Sequence, residues 1–245
     1  MTAGPLGFHQ RYPQNAMKLI ATRPRFLGLR GLFLVFFTVL SLTLTLSGCS
    51  ALPDKPVRPT LYDFGPGSVT LEPASRQAAL PALALDDITT SGGALDNSAL
   101  LYRLAYAEVQ ALRPYAQARW STPPALLVRQ RLREQLSVRR PVFNARDGVA
   151  INRSSGAVLP LRLRLELEEF SHLFTAPDTS VGVIRLRATL VDVTASGEKF
   201  IGQRSVVVQR PAPTADAAGG VRALTAATDA AIEEIDQWLQ QSATR

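Results

Sequence analysis

The sequence predicts an α+β fold: a mixed or antiparallel sheet covered on one face by two main helices, in a single domain behind an export leader. Three observations carry this. Leu159, Leu161, Leu163, Leu165 and Leu167 alternate with Arg162, Arg164, Glu166 and Glu168, giving one apolar and one charged face. That is the pattern of an antiparallel sheet wet on one side. A second alternating run sets Ile184, Leu186, Ala188 and Leu190 against Arg185 and Arg187. Two stretches instead space their apolar residues as helices do: Val128, Leu132, Leu136, and later Val221, Leu224, Thr228, Ile232, Ile235, Leu239.

Taken in order, Leu61-Tyr62-Asp63-Phe64 reads as a short strand stopped by Gly65-Pro66-Gly67. Leu83, Leu85 and the stretch to Ile88 suggest a second. Leu100, Tyr102, Leu104 and Tyr106 alternate through LLYRLAYAEV as a half-buried third. Thr122-Pro123-Pro124 looks like a helix start, with Thr122 as N-cap and Pro123 at the first position. The Leu-rich strand Leu159–Phe170 follows, and a loop with Pro177 and Gly182 leads to its partner. Ser196-Gly197 marks a turn into a strand from Phe200 to Gln209, making an antiparallel meander. The loop PAPTADAAGG gives way to the last helix. No internal repeat is present.

The beginning of the chain follows other rules. Arg23, Arg25 and Arg30 precede an uncharged run, Leu32 to Leu46. Its length suits the core of a signal peptide, ~7–15 residues, and falls short of the ~20 that span a bilayer. The run ends in Leu46-Ser47-Gly48-Cys49, which resembles a lipobox. There, small residues admit the peptidase, and the thiol receives diacylglycerol before the cut between Gly48 and Cys49. The expected layout is therefore a lipoprotein signal peptide over 1–48, with Met17 an alternative start, then a lipidated Cys49 and Pro-rich tether over 49–60. The domain occupies 61–245. With an N-acyl chain added to the diacylglycerol, each buried methylene contributes ~0.8 kcal/mol, and two or three chains, palmitate among them, hold a protein almost permanently. Pro53, Pro56 and Pro59 recur at the polyproline II spacing. At ~3.1 Å per residue such a tether reaches about 35 Å.

Charge and composition exclude several functions. The leader holds five of the 27 basic residues and no acid, so the rest carries 22 basic against 20 acidic. The basic footprint that nucleic acid needs is missing from the domain. Cys49 is the only cysteine, so no intrachain disulfide forms. His9 lies in the leader, and His172 stands alone after the long strand, where it reads as a turn residue rather than a metal ligand. The sequence has neither a G-x-S-x-G elbow nor a phosphate-binding G-x-x-x-x-G-K-[ST] loop. Glu168-Glu169 and Asp86-Asp87 are adjacent carboxylates, and strand neighbours point to opposite faces, which argues against acid–base couples. Asn152-Arg153-Ser154 fits a glycosylation pattern by chance. Tyr102, Tyr106, Tyr115 and Trp120 fall between the third strand and the first helix; core packing is the stronger reading and a lipid groove the weaker. No catalytic, metal-binding or cofactor-binding residue emerges, and the expectation is of a protein that is not an enzyme.

The order of these elements resembles the ABC-type transport auxiliary lipoprotein family, which accompanies ABC transporters with MCE-domain substrate-binding proteins. The matching features are Leu61-Tyr62-Asp63-Phe64-Gly65-Pro66 after the tether and Leu101-Tyr102-Arg103-Leu104-Ala105-Tyr106. Tyr115-Ala116, Arg119-Trp120 and Pro123-Pro124 with its helix follow, then the strand ending at Glu169-Phe170, its hairpin partner and the last helix. The resemblance implies an accessory role in lipid transport, with an MCE-domain protein and its permease and ATPase as partners. The family has no active-site signature, so only Cys49 carries over. The resemblance also gives Ser50 meaning: Asp at that place often retains a lipoprotein at the inner membrane, so Ser50 favours the outer one. A lipoprotein that docks on and regulates a cell-wall synthase is the alternative, and a periplasmic hydrolase a weaker third.

Overall fold

The structure is a computed structural model that describes residues 31, 33–38, 57–67, 80–145, 159–194 and 196–243. The chain divides into two units, Met1–Pro56 and Val57–Arg245. In the first, residues 33–38 are helical, and Thr38 Oγ1 donates to the Leu34 and Val35 carbonyls at 2.9 Å each. Cys49, Gly48, Ser50, Pro53, Pro56 and the Asn152-Arg153-Ser154 triplet lie outside the described residues.

The second unit is an α+β domain. Its elements run β1 (Thr60–Tyr62), β2 (Leu83–Leu85), β3 (Thr89–Thr90), a 3-10 turn (Gly93–Leu95), β4 (Ala99–Leu104) and β5 (Glu108–Trp120). Then come α1 (Pro124–Ser137), β6 (Val142–Asn144), β7 (Leu161–Ala176), β8 (Thr179–Thr194), β9 (Gly197–Pro211) and α2 (Ala217–Ala243). All the strands join one mixed sheet in which β7 is the spine. Three segments run parallel to one edge of β7: Leu83 of β2 faces Leu161, Thr89 of β3 faces Glu166, and Tyr102 of β4 faces His172. β6 extends the sheet beyond β2, and β5 then β1 extend it beyond β4. The other edge of β7 carries β8 and then β9, both antiparallel. This is the expected meander.

Both helices lie on one face. Leu163, Leu165 and Leu167 of β7, Ile184, Leu186, Ala188 and Leu190 of β8, and Val206 and Val208 of β9 are buried there. From α2, Val221, Leu224, Thr228, Ile232, Ile235 and Leu239 come down on them; α1 adds Val128, Leu132 and Leu136. The helical stripes read from the sequence are thus the buried ones. Thr228 is tolerated because its hydroxyl donates to the Leu224 carbonyl at 2.8 Å.

Several local expectations change. β7 starts at Leu161, after Pro160, and runs on to Ala176 with a bulge between Leu167 and Glu169. A bulge inserts one residue and shifts the alternation. Odd positions face the helices before it, and Phe170, His172 and Phe174 face them after it. His172 is therefore not a turn residue; it is a core strand residue with no exposed surface. Gly182 is likewise not in a loop but inside β8, and the β7–β8 turn is only Pro177 and Asp178. A Cβ on Gly182 would stand 2.5 Å from the backbone of Ala223 and Leu224, so glycine is what lets α2 touch the sheet. Thr122 is not the cap of α1. The helix starts at Pro124, and Pro123 is extended (φ −52°, ψ 140°), because a residue preceding proline is excluded from the α region. Tyr106 leaves β4 for the exposed β4–β5 turn. β5 is a strand that no alternation announces: it runs unbroken through Pro114, and its pairing with β4 shifts register twice. Finally, α2 takes in Ala217 to Gly220 from the expected loop, since the Asp216 carboxylate accepts from the Gly219 N–H at 2.7 Å and caps the helix.

Candidate functional site

Polar side chains gather in three places. The first is the start of α2. His172 lies beneath it, and a Cβ on Gly220 would come 2.4 Å from His172 Nδ1, so glycine makes room for the ring. Nδ1 is 2.9 Å from the Tyr115 hydroxyl, while Nε2 is buried with no hydrogen-bond partner among the described residues. Phe174 packs on the imidazole at 4.4 Å between ring centres, and Tyr102 packs on Tyr115 at 4.7 Å. Burial pushes the His172 pKa down to about 4, against a weaker upward pull from Asp216, so the ring is neutral at ordinary pH. Burial also raises the Tyr115 hydroxyl well above its usual value. The Gly219 N–H and the Thr214 hydroxyl hold the Asp216 carboxyl below the usual carboxylate range. Ser180 is on the same inward face, two positions from Gly182, which pairs with His172. A Ser–His–Asp reading fails on access: His172 and Ser180 are 0% and 4% exposed, leaving a substrate no approach.

The second place is the helix-free face of the sheet, where the charges read from the sequence form cross-strand pairs. Arg164 donates to Asp86 at 3.0 Å and to Glu198 at 2.6 Å; Arg162 reaches Glu198 at 3.1 Å. Arg187 pairs with Glu166 at 3.6 Å and with Glu168. Arg103 grips Glu169 with two bonds of 3.2 Å, and the Ser171 hydroxyl adds a third at 2.5 Å. Glu168 and Glu169 do not point apart as strand neighbours should. The bulge puts both on the rim of one depression of about 160 Å³, with Ser91, Arg103 and Phe170. Asp86 and Asp87 do diverge, Asp86 to the arginines of β7 and Asp87 to Arg129 of α1 at 3.3 Å.

The third place is a groove of about 570 Å³ between α1 and α2, bordered by Arg131, Gln135, Asp229, Glu233 and Asp236 over a floor of Leu136 and Ile232. Ion pairs bridge it: Arg131 to Asp229 at 2.7 Å, and the buried Arg140 to Asp236. Asp229 raises the Arg131 pKa by hydrogen bonding, whereas burial lowers that of Arg140.

The aromatic residues singled out in the sequence do not form one cluster. Tyr102 and Tyr115 join His172, while Trp120 packs with Phe64 at 5.6 Å and Phe170 at 5.5 Å, and Tyr106 faces solvent. Among the described residues no three His, Cys, Asp or Glu side chains gather as metal ligands, and no helix is long and apolar enough to cross a membrane. The carboxylates of the outer face are paired and the histidine is enclosed, which suits holding a surface in shape better than moving protons. Sequence reasoning missed the His172–Tyr115–Asp216 grouping because it ended the strand at Phe170; the signal was the Glu168-Glu169 doublet, after which Phe170 and Phe174 carry the apolar phase on even positions and His172 with them.

Comparison with known proteins bears on the fold and on the family. Protein XCC0632 from Xanthomonas campestris superimposes with a TM-score of 0.55 at 15% identity, over 77% of this chain and 92% of that one. The crystal structure of an uncharacterized protein gives 0.50 at 11% identity, over 74% and 99%. Both likenesses concern the fold alone. No curated protein matches. Residues 62–236 match the family described as the ABC-type transport auxiliary lipoprotein component. That span is well over half of the 245 residues and takes in nearly every element from β1 to α2, so the chain belongs to the ABC-type transport auxiliary lipoprotein family.

Proposed function

We propose that the chain is a non-catalytic accessory lipoprotein of an MCE-type ABC transporter for lipids, phospholipids among them. It is anchored through acyl chains on Cys49 to the periplasmic side of the outer membrane. Residues 1–48 are the leader, 49–60 the lipidated tether and 61–245 the working domain. One observation carries the reading: a domain of an ABC transport auxiliary family stands directly behind a leader that ends in Leu46-Ser47-Gly48-Cys49. An auxiliary subunit needs no chemistry of its own; its partners supply nucleotide hydrolysis and the lipid path. The enclosed His172 and the paired carboxylates agree with a part that acts by position. Ser50 in place of Asp supports the outer membrane.

Crosslinking in intact cells tests this. The MCE-domain protein should be recovered with the lipoprotein, and deleting either gene should give the same envelope defect. Recovery of a cell-wall synthase alone, with a defect confined to wall assembly, would overturn the proposal in favour of a synthase regulator.

A further inference from the structure

We propose that the free edge of β9, from Gly202 to Gln209, takes up an extended acidic segment of a partner protein as an added strand. The inference rests on the reading that the protein works by holding a partner, and it names the surface and the chemistry.

Among the described residues β9 pairs only with β8. An edge strand leaves about half of its N–H and C=O groups unpaired, a template for one more strand. Two features bound the usable stretch. Leu190 faces Gly202 but Val191 faces Phe200, so Ile201 is a bulge that breaks the edge on one side. On the other side stands Pro211, which has no N–H to offer. Between them the register from Gly202 to Gln209 is unbroken.

The side chains say what kind of strand fits. Arg204 faces Ala188 and Arg210 faces Gly182, so both rise on the helix-bearing side of the edge. Both are exposed, and neither has an ion pair among the described residues; Arg210 Nη1 donates to the neighbouring Gln209 carbonyl at 3.0 Å. On the opposite side Val207 is 51% exposed, between Ser205 and Gln209. From Lys199 to Ala215 the sequence has three basic residues and no acid. An incoming strand thus meets cations on one face and an apolar contact on the other. Its complement alternates acidic with β-branched residues.

A second copy is the wrong occupant. Two β9 edges laid together would set Arg204 and Arg210 against the same cations with no acid to offset them. The remaining outer strands, β1 and β6, have three residues each, too few to template the stretch.

The test uses the purified full-length lipoprotein in detergent micelles, with empty micelles as control, and two synthetic octapeptides, (Glu-Val)4 and (Lys-Val)4. Binding is read by hydrogen exchange at β9 and by the fluorescence change of Trp238, whose ring lies over Gly202. The Glu peptide should slow exchange across residues 202–209 and bind at least about tenfold more tightly than the Lys peptide. Arg204→Glu with Arg210→Glu should invert that preference, and Arg204→Gln with Arg210→Gln should abolish it while leaving the circular dichroism unchanged. Equal binding of both peptides, or protection away from β9, would overturn the proposal. So would protection that grows with protein concentration in the absence of peptide, which marks a second copy. Failed peptide binding beside an intact crosslink to the MCE-domain protein removes the β9 edge alone; peptide binding without that crosslink removes the transporter assignment alone.

Discussion

Replacing Gly182 with alanine drives a methyl group into the backbone of α2. The new Cβ would lie 2.5 Å from the Ala223 carbonyl carbon and the Leu224 nitrogen, and 2.9 Å from the Ala223 oxygen. These are main-chain atoms of a helix, so no rotamer change relieves the clash. Ordinary contact begins near 3.4 Å, and α2 must retreat by about 0.9 Å at that point. Leu224, Ala227 and Ala231, all at or near zero exposure, would be lifted from the sheet with it. A gap of 0.5–1 Å forfeits roughly a quarter to a half of each dispersion contact. Overpacking of this kind costs about 1–3 kcal/mol. For a domain of this size that lowers the melting temperature by roughly 2–12 °C. Gly92 and Gly93 provide the control. A Cβ at either meets nothing within 4 Å, and Gly92 has extended backbone at φ −179°. Gly92→Ala should therefore be neutral or slightly stabilising, by up to about 1 kcal/mol. Thermal unfolding of both variants followed by circular dichroism decides the matter. If Gly182→Ala melts with the wild type, the helix does not press on the sheet as described.

Three further outcomes are expected. Cys49→Ser should end metabolic labelling with palmitate and block processing at this site; continued labelling would move the anchor elsewhere. Leu163→Asp places a charge at a fully buried position and should cost several kcal/mol, whereas Arg164→Ala, which removes partly exposed ion pairs, should cost about 1 kcal/mol or less; similar melting temperatures would reverse the assignment of sheet faces. The folded state keeps His172 neutral down to about pH 4, while the unfolded chain protonates it near ~6.5. Below ~6.5 the unfolded state thus binds the extra proton, and stability should fall with pH toward 4 by at most ~1.4 kcal/mol per unit. The carboxylates with lowered pKa, Asp216 and Glu198, lose their contribution only at more acid pH. His172→Gln should flatten the melting profile between pH 6 and 4.5, and an unchanged slope would show that the histidine is not enclosed.

The parts that were legible in the sequence are those whose physics is periodic. The alternation in β7 and β8 and the spacing in α1 and α2 each named the buried side correctly, because one face of each element meets the core. Where a single residue changes the geometry, the pattern shows at most a break in phase and not what the break brings together. One inserted residue near Glu168 turned His172 inward and set Glu168 beside Glu169. The roles of Gly182 and Gly220 depend on the α2 backbone and on the His172 ring, which approach from more than 40 positions away in the sequence, and a glycine there looks like one in any loop. β5 carries Pro114 and irregular pairing, so its half-buried Leu112 and Tyr115 make no alternating run. On the function proposed above, Cys49 is the reverse case: its meaning lies in the local sequence Leu46-Ser47-Gly48-Cys49 and needs no fold to be read.

The placement of β2, β3 and β4 against a single later strand has a consequence for biogenesis. An exported chain emerges from its leader onward, so residues 83–104 reach the far side of the membrane well before β7 does. Leu83 waits for Leu161, and Tyr102 for His172. Until then β4 and β1 have only β5 to pair with and β2 only β6, and their apolar sides have no common sheet to close on, the condition under which folding factors and proteases compete for a polypeptide. The later half is different. β7, β8 and β9 follow one another through tight turns, and α2 closes over them, so residues 161–243 assemble through near-neighbour contacts of the kind that form fast. The last third of the chain to arrive is thus the scaffold for what precedes it, and a truncation before β7 would leave β2, β3 and β4 without the strand that joins them into one sheet.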